Sequence, residues 1–112
     1  MHIENLKLNP IDLAITLRGN PEKIHREARR CISRAEDRIS QGHYSMGRLF
    51  LSDARVFVRE MRDKENRYEV MGLCREIVAL YKTIQERTGK DLGLEILNTL
   101  NLARDVKDAG GR

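Results

Sequence analysis

The sequence predicts an all-α protein: an up-down antiparallel bundle of four main helices plus a short N-terminal helix. Three observations carry this. Apolar residues return at the 3.6-residue period over four successive stretches. Aromatic residues make up 4% of the chain and charged ones 34%, with no Trp and two Pro, a balance that suits helices better than sheet or disorder. Short polar or glycine-containing connections join the stretches, which makes successive helices antiparallel neighbours. At 112 residues the chain has room for one domain with a single modest core. Residues 1–20 form an arm holding the short helix, 21–107 the bundle, and 108–112 a tail expected to fray.

Asn9-Pro10 and Asn20-Pro21 each place an N-cap residue before a proline suited to the first helical position. The first pair opens a short helix over Ile11–Arg18 that Gly19 ends, and the second opens a long helix to about Ser40. In that helix Ile24, Ala28, Cys31, Ile32, Ala35 and Ile39 form one stripe. Gly42 stops it. The next helix runs from about Tyr44 to Arg62, with Met46, Phe50, Ala54, Phe57, Val58 and Met61 expected inside and Gly47 leaving room for a neighbouring helix. Leu49 and Val56 lie two turns apart on a second flank, which calls for a second neighbour. Asp63–Asn66 is polar, and Asn66 with Glu69 resembles a capping pair, which reads as a break. With no Gly or Pro between Gly47 and Gly72, the alternative is one continuous helix, which would favour an extended dimer. A third long helix over Arg67–Arg87 is apolar around more than half its surface, from Val70, Met71 and Leu73 to Tyr81 and Ile84. Such a helix belongs at the centre of a fold or at a subunit interface. Gly89 closes it, and Asp91 can cap a last helix to about Lys107. There Leu92, Ile96, Leu100, Ala103 and Val106 are expected inward, with Leu94, Leu97 and Leu102 widening the stripe.

No apolar run approaches the roughly 18 residues that span a bilayer. Residues 1–5 show no basic stretch leading into an apolar one, so the expectation is a cytoplasmic chain. Cys31 and Cys74 fall on apolar helix faces without the spacing of a disulfide or zinc framework, and read as reduced core thiols. No cofactor, metal or small-molecule substrate is implied. A single Glu22-Lys23-Ile24-His25 supplies half of what a di-iron carboxylate bundle needs. The spacing Gly42 to Gly47-Arg48-Leu49 lacks the Lys and Ser/Thr of a phosphate loop.

The net charge of +4 is concentrated in residues 21–62, where ten basic side chains face six acidic ones. Arg26, Arg30 and Arg34 recur at i,i+4 on the first long helix, where like charges repel by a few tenths of a kcal/mol per pair. Arg48, Arg55 and Arg59 occupy the polar face of the next helix. Aligned cations rich in Arg fit an anionic partner, nucleic acid among them.

Taken together, Cys31, Ala35, Gly42, Tyr44, Phe50 and Ala54 resemble one tetratricopeptide-type helical hairpin, with Gly47 in place of the usual Ala. Tyr44 would pack back over the Gly42 turn and Phe50 would fill the core. No second copy follows at about 34 residues, and a tandem array needs about three. A hairpin followed by a third helix that includes Tyr81 is similar to a microtubule-interacting-and-trafficking-type domain over Glu22–Arg87. The resemblance implies a groove that receives a partner's helix or tail. On that basis the expected function is a non-enzymatic protein-interaction module, with self-association through the third long helix as a further expectation. Its recognition surface would be edged by Tyr44, Leu49, Val56 and the basic ribbon. The alternative is a basic nucleic-acid-binding subunit of a larger nucleoprotein assembly. Arg38 and His43 also have the Arg-x4-His spacing of HEPN-type ribonucleases, although Ile39 stands where that family prefers a polar residue.

Overall fold

The computed structural model describes residues 9–61 and 66–110, with side chains to residue 105. Among these the chain forms five helices and no strand: α1 Pro10–Thr16, α2 Pro21–Ser40, α3 Tyr44–Glu60, α4 Arg67–Thr88 and α5 Gly93–Gly110. The two Asn-Pro openings form as expected. Asn9 Oδ1 accepts from the Asp12 N–H at 2.9 Å, and Asn20 Oδ1 from the Lys23 N–H at 3.3 Å. α2 ends in a Schellman turn, in which the Gly42 N–H donates to the Ile39 carbonyl and the His43 N–H to the Arg38 carbonyl. That turn needs a left-handed residue, and Gly42 supplies it at φ +79°.

The α2–α3 hairpin is the most extensive contact in the fold. It closes so tightly that a Cβ on Gly47 would stand 2.7 Å from Ile39 Cγ1. The inward face of α3 is therefore Gly47, Leu51, Ala54, Phe57, Val58 and Met61. This corrects the sequence reading, which placed Met46 and Phe50 inside. Leu51 is fully buried, Met46 is exposed, and Phe50 is only half-buried against the core. A glycine adds nothing to an apolar pattern, so the first two positions of the stripe were read one residue early, while Ala54, Phe57, Val58 and Met61 are inward as expected. Burying a Leu fully contributes about 1.5–3 kcal/mol, which makes the shift consequential.

α4 packs on α2, α3 and α5 together, which buries most of its apolar circumference within one chain, while Met71 and Leu80 stay half-buried and Tyr68 is exposed. Asn66 takes the N-cap position, without the side-chain capping bond expected of its pairing with Glu69. Residues 62–65, which include Arg62 and most of the expected break, lie outside the described residues. The connection into α5 satisfies its own backbone. Gln85 Oε1 accepts from the Leu92 N–H at 2.8 Å, Thr88 Oγ1 from the Lys90 N–H at 3.2 Å, and Asp91 Oδ1 from the Gly93 N–H at 2.8 Å.

α5 is rotated from the expected register. Leu92, Thr99 and Leu102 are buried, whereas Leu94, Leu97 and Leu100 are 68%, 53% and 48% exposed. Thr99 holds an inward position because its hydroxyl donates to the Glu95 carbonyl at 2.8 Å, which leaves no unsatisfied polar group. Ile96 and Ala103 pack at the edge of the core, and Val106 lies outside the described side chains. The helix continues to Gly110, and 111–112 lie outside the described residues.

α1 docks on α3 rather than on its sequence neighbour α2, with Ala14 buried and Leu13 and Leu17 against the core. The result is a slab of 47 × 38 × 17 Å. No helix among the described residues is long and apolar enough to cross a membrane.

The close approach at Gly47 gives a direct test. Gly47→Leu should lower stability by about 1–3 kcal/mol through overpacking, read as a lower midpoint in denaturant. Combined with Ile39→Ala, the loss should be smaller than the sum of the two single changes. Additivity would mean that the two side chains do not share one space.

Candidate interaction surfaces

Two cations of α3, Arg48 and Arg55, are turned toward α4 and α5. Arg55 Nη1 donates to the Tyr81 hydroxyl at 3.0 Å, and its guanidinium carbon lies 5.9 Å from the Tyr81 ring centre. Tyr81 is wholly buried. Burial pushes its hydroxyl pKa up, and the bond from Arg55 partly offsets this. Arg48 Nη2 stands 2.5 Å from Glu95 Oε2 of α5, a charge contact not aligned as a hydrogen bond. Arg55 Nε is likewise buried without a hydrogen-bond partner among the described residues. These groups form a small polar cluster where α3, α4 and α5 meet.

The cations of α2 lie elsewhere. Arg34 lies over the Phe50 ring at 6.0 Å, and Arg30 pairs with Glu27 at 3.4 Å. Arg29, on the side of α2 toward α4, pairs with Glu76. Phe50 and Arg55 are five residues apart on one helix and project roughly 140° from each other. The α2 row and the α3 row therefore occupy opposite flanks of α3 and make no single ribbon. Arg26 stays exposed in a depression of about 700 Å³ together with Pro21, Glu22, His25, Arg29 and Glu69. Arg59 is exposed and makes no ion pair among the described residues.

Of the three apolar residues proposed to edge a recognition groove, Tyr44 is separated from Leu49 and Val56, which share one flank of α3. Tyr44 is half-buried and faces the α4–α5 turn beside Arg48, Ile84, Thr88 and Leu92, not back over Gly42. Leu49 projects roughly 140° away from it and is 52% exposed. Val56 is half-buried at the edge of the core. One turn beyond Val56, Glu60 pairs with Arg18 at 2.7 Å, which identifies the second neighbour of this flank as the α1 end of the chain. Arg38 and His43 flank the α2–α3 turn, where Arg38 reaches Gln41 at 3.4 Å and the His43 imidazole is exposed.

An apolar groove of about 240 Å³ runs between α4 and α5, lined by Met71, Cys74, Arg75, Val78, Leu100 and Ala103. Sequence reasoning missed it because Leu100 was assigned to the core. The cations near it were lost in a C-terminal half whose charges balance overall. The readable signal was local: Arg75 and Lys82, seven residues apart, share one helix face.

Both cysteines are buried, and burial pushes each thiol up to about 11. At Cys31 the carboxylates of Asp53 and Glu27 add to the rise, against Arg34 and Arg30. Asp53 is itself raised by burial. Among the described residues no three His, Cys, Asp or Glu side chains gather in a way that could hold a metal ion.

Two outcomes follow from these environments. Tyr81→Phe should cost about 1–3 kcal/mol, because it strands a guanidinium N–H at the junction; a melting curve identical to that of the parent would remove the bond as a structural element. The folded protein holds both thiols protonated above the ordinary value of 9.0. Their contribution to stability is therefore full below about pH 9 and lost as the pH rises through about 11. Both thiols should react slowly with an aromatic disulfide at pH 8 and rapidly in denaturant. Fast reaction in the native state would contradict their burial.

Compared with known families, curated proteins and solved structures, the chain has no match to any of the three.

Proposed function

We propose that the protein is a non-enzymatic interaction module that docks other polypeptides on its helical surface. The observation that carries this is the outer face of α5. Leu94, Leu97 and Leu100 remain exposed beside an apolar groove, although Leu92, Thr99 and Leu102 already give the helix a buried face. Clustered apolar exposure of this kind marks a contact surface. The resemblance to partner-binding helical hairpins points the same way, although the surface favoured here lies outside the hairpin.

The nucleic-acid alternative draws less support from the geometry. Arg48 and Arg55 are engaged with Glu95 and Tyr81, and Arg29 and Arg30 with Glu76 and Glu27. A duplex or single strand would need several of these cations free at once on one face.

Replacing Leu97 with a photoreactive benzoylphenylalanine and irradiating cells that express the chain should give discrete protein adducts. The same probe at Ser33, on exposed α2 surface, should give none. Equal labelling at both positions would sink the reading. Labelled oligonucleotides titrated by fluorescence anisotropy should show no micromolar binding at moderate salt. Binding there, with log K falling steeply against log salt, would make nucleic acid the partner instead.

A further inference from the structure

We infer that the α4–α5 groove receives one helix of a protein partner, with apolar side chains along the contact line and carboxylates beside it. This rests on the interaction-module reading and adds the chemistry of the partner. The floor of the groove is apolar, from Met71 and Val78 on α4 and Leu100 and Ala103 on α5. Its walls are two helices, and the ridge of a third helix fits between two such walls.

The rim supplies the charge. Arg75 lines the groove, Lys82 lies two turns further along the same face of α4, and Arg104 lies one turn from Leu100 on α5. All three are exposed, and none forms an ion pair among the described residues. The one carboxylate on that face of α4, Glu86, lies a turn beyond Lys82, toward the closed α4–α5 turn. The open part of the groove is therefore basic beside apolar, in a half of the chain with no net charge.

Charge complementarity selects the occupant. A second copy meeting this groove across a two-fold axis would set the same three cations against each other. A membrane surface needs a convex apolar ridge to insert, whereas this surface is concave. Arg75 and Lys82 stand about 10 Å apart along the helix axis, given about 1.5 Å per residue. A partner helix lying along the groove would meet them with Asp or Glu spaced two turns apart.

The test uses the full chain and a labelled synthetic 18-residue helix. Its Leu residues repeat at i, i+3 and i+7, with Glu on both flanks; a counterpart carries Lys on the flanks. The Glu helix should bind at least tenfold more tightly than the Lys helix at low salt. Leu100→Glu, at an exposed position, should weaken it tenfold or more. Joint reversal of Arg75, Lys82 and Arg104 to Glu should invert the preference between the two helices, with circular dichroism showing an intact fold. Equal affinity for both helices, or indifference to Leu100→Glu, would overturn the inference while adducts from position 97 kept the interaction reading alive. Loss of those adducts as well would remove both. Two other results would overturn it in favour of a different occupant. One is a dimer in light scattering that Leu100→Glu dissociates; the other is co-sedimentation with phosphatidylserine vesicles without binding to either helix.

Discussion

Tyr81 stands on the inner face of α4 with no surface exposed, so its hydroxyl must find a partner inside the protein. Arg55 is that partner, and much of the arrangement follows from this one bond. It sets the face that α3 turns toward α4. It also draws a guanidinium out of solvent, where the polar face of an amphipathic helix would otherwise keep it. About two turns earlier on the same flank, Arg48 follows the same direction and meets Glu95. α5 otherwise touches α3 only lightly. This pair of arginines therefore links the hairpin to both later helices.

The same bond changes what the charge pattern means. Ten cations in 42 residues look like a surface made for anions. Inside the folded chain, part of that charge serves as internal connection. Exposed ion pairs contribute little stability, but Arg55 is half-buried at the α3–α4–α5 junction with Tyr81 as its partner, while Arg48 stays exposed over a largely covered Glu95. The cations left for a partner are fewer and more scattered. Three other cations, Arg75, Lys82 and Arg104, lie on the rim of the α4–α5 groove, in the half of the chain that composition would have passed over.

Helix existence and boundaries were legible because caps and turns have local chemistry. Asn9-Pro10, Asn20-Pro21, Gly42 and Gly89 mark their elements as the physics of helix ends requires. The rotation of two helices was not legible. α3 turns about an empty position, Gly47, and α5 about a polar one, Thr99, which bonds back to its own helix. An apolar pattern registers neither residue as inward-facing. Leu51 was consequently missed as core, and Leu100 was missed as surface. The basic rows failed for another reason. Sequence spacing shows that arginines share a helix face, but not which neighbour that face meets. The candidate groove edged by Tyr44, Leu49 and Val56 lost Tyr44 on the same point.

The two tight hairpins also have a kinetic meaning. α2 with α3, and α4 with α5, share the largest interfaces in the protein, and each pair is joined by a connection of a few residues. Most native contacts can therefore form between segments close in the chain, without closing long loops first. Low contact order of this kind is associated with folding in microseconds to milliseconds. The first hairpin needs no residue beyond Glu60, so it can close before Tyr81 is in place. The slow event is then the docking of two preformed halves, and Arg55 waits in water for the hydroxyl that will bring it inside.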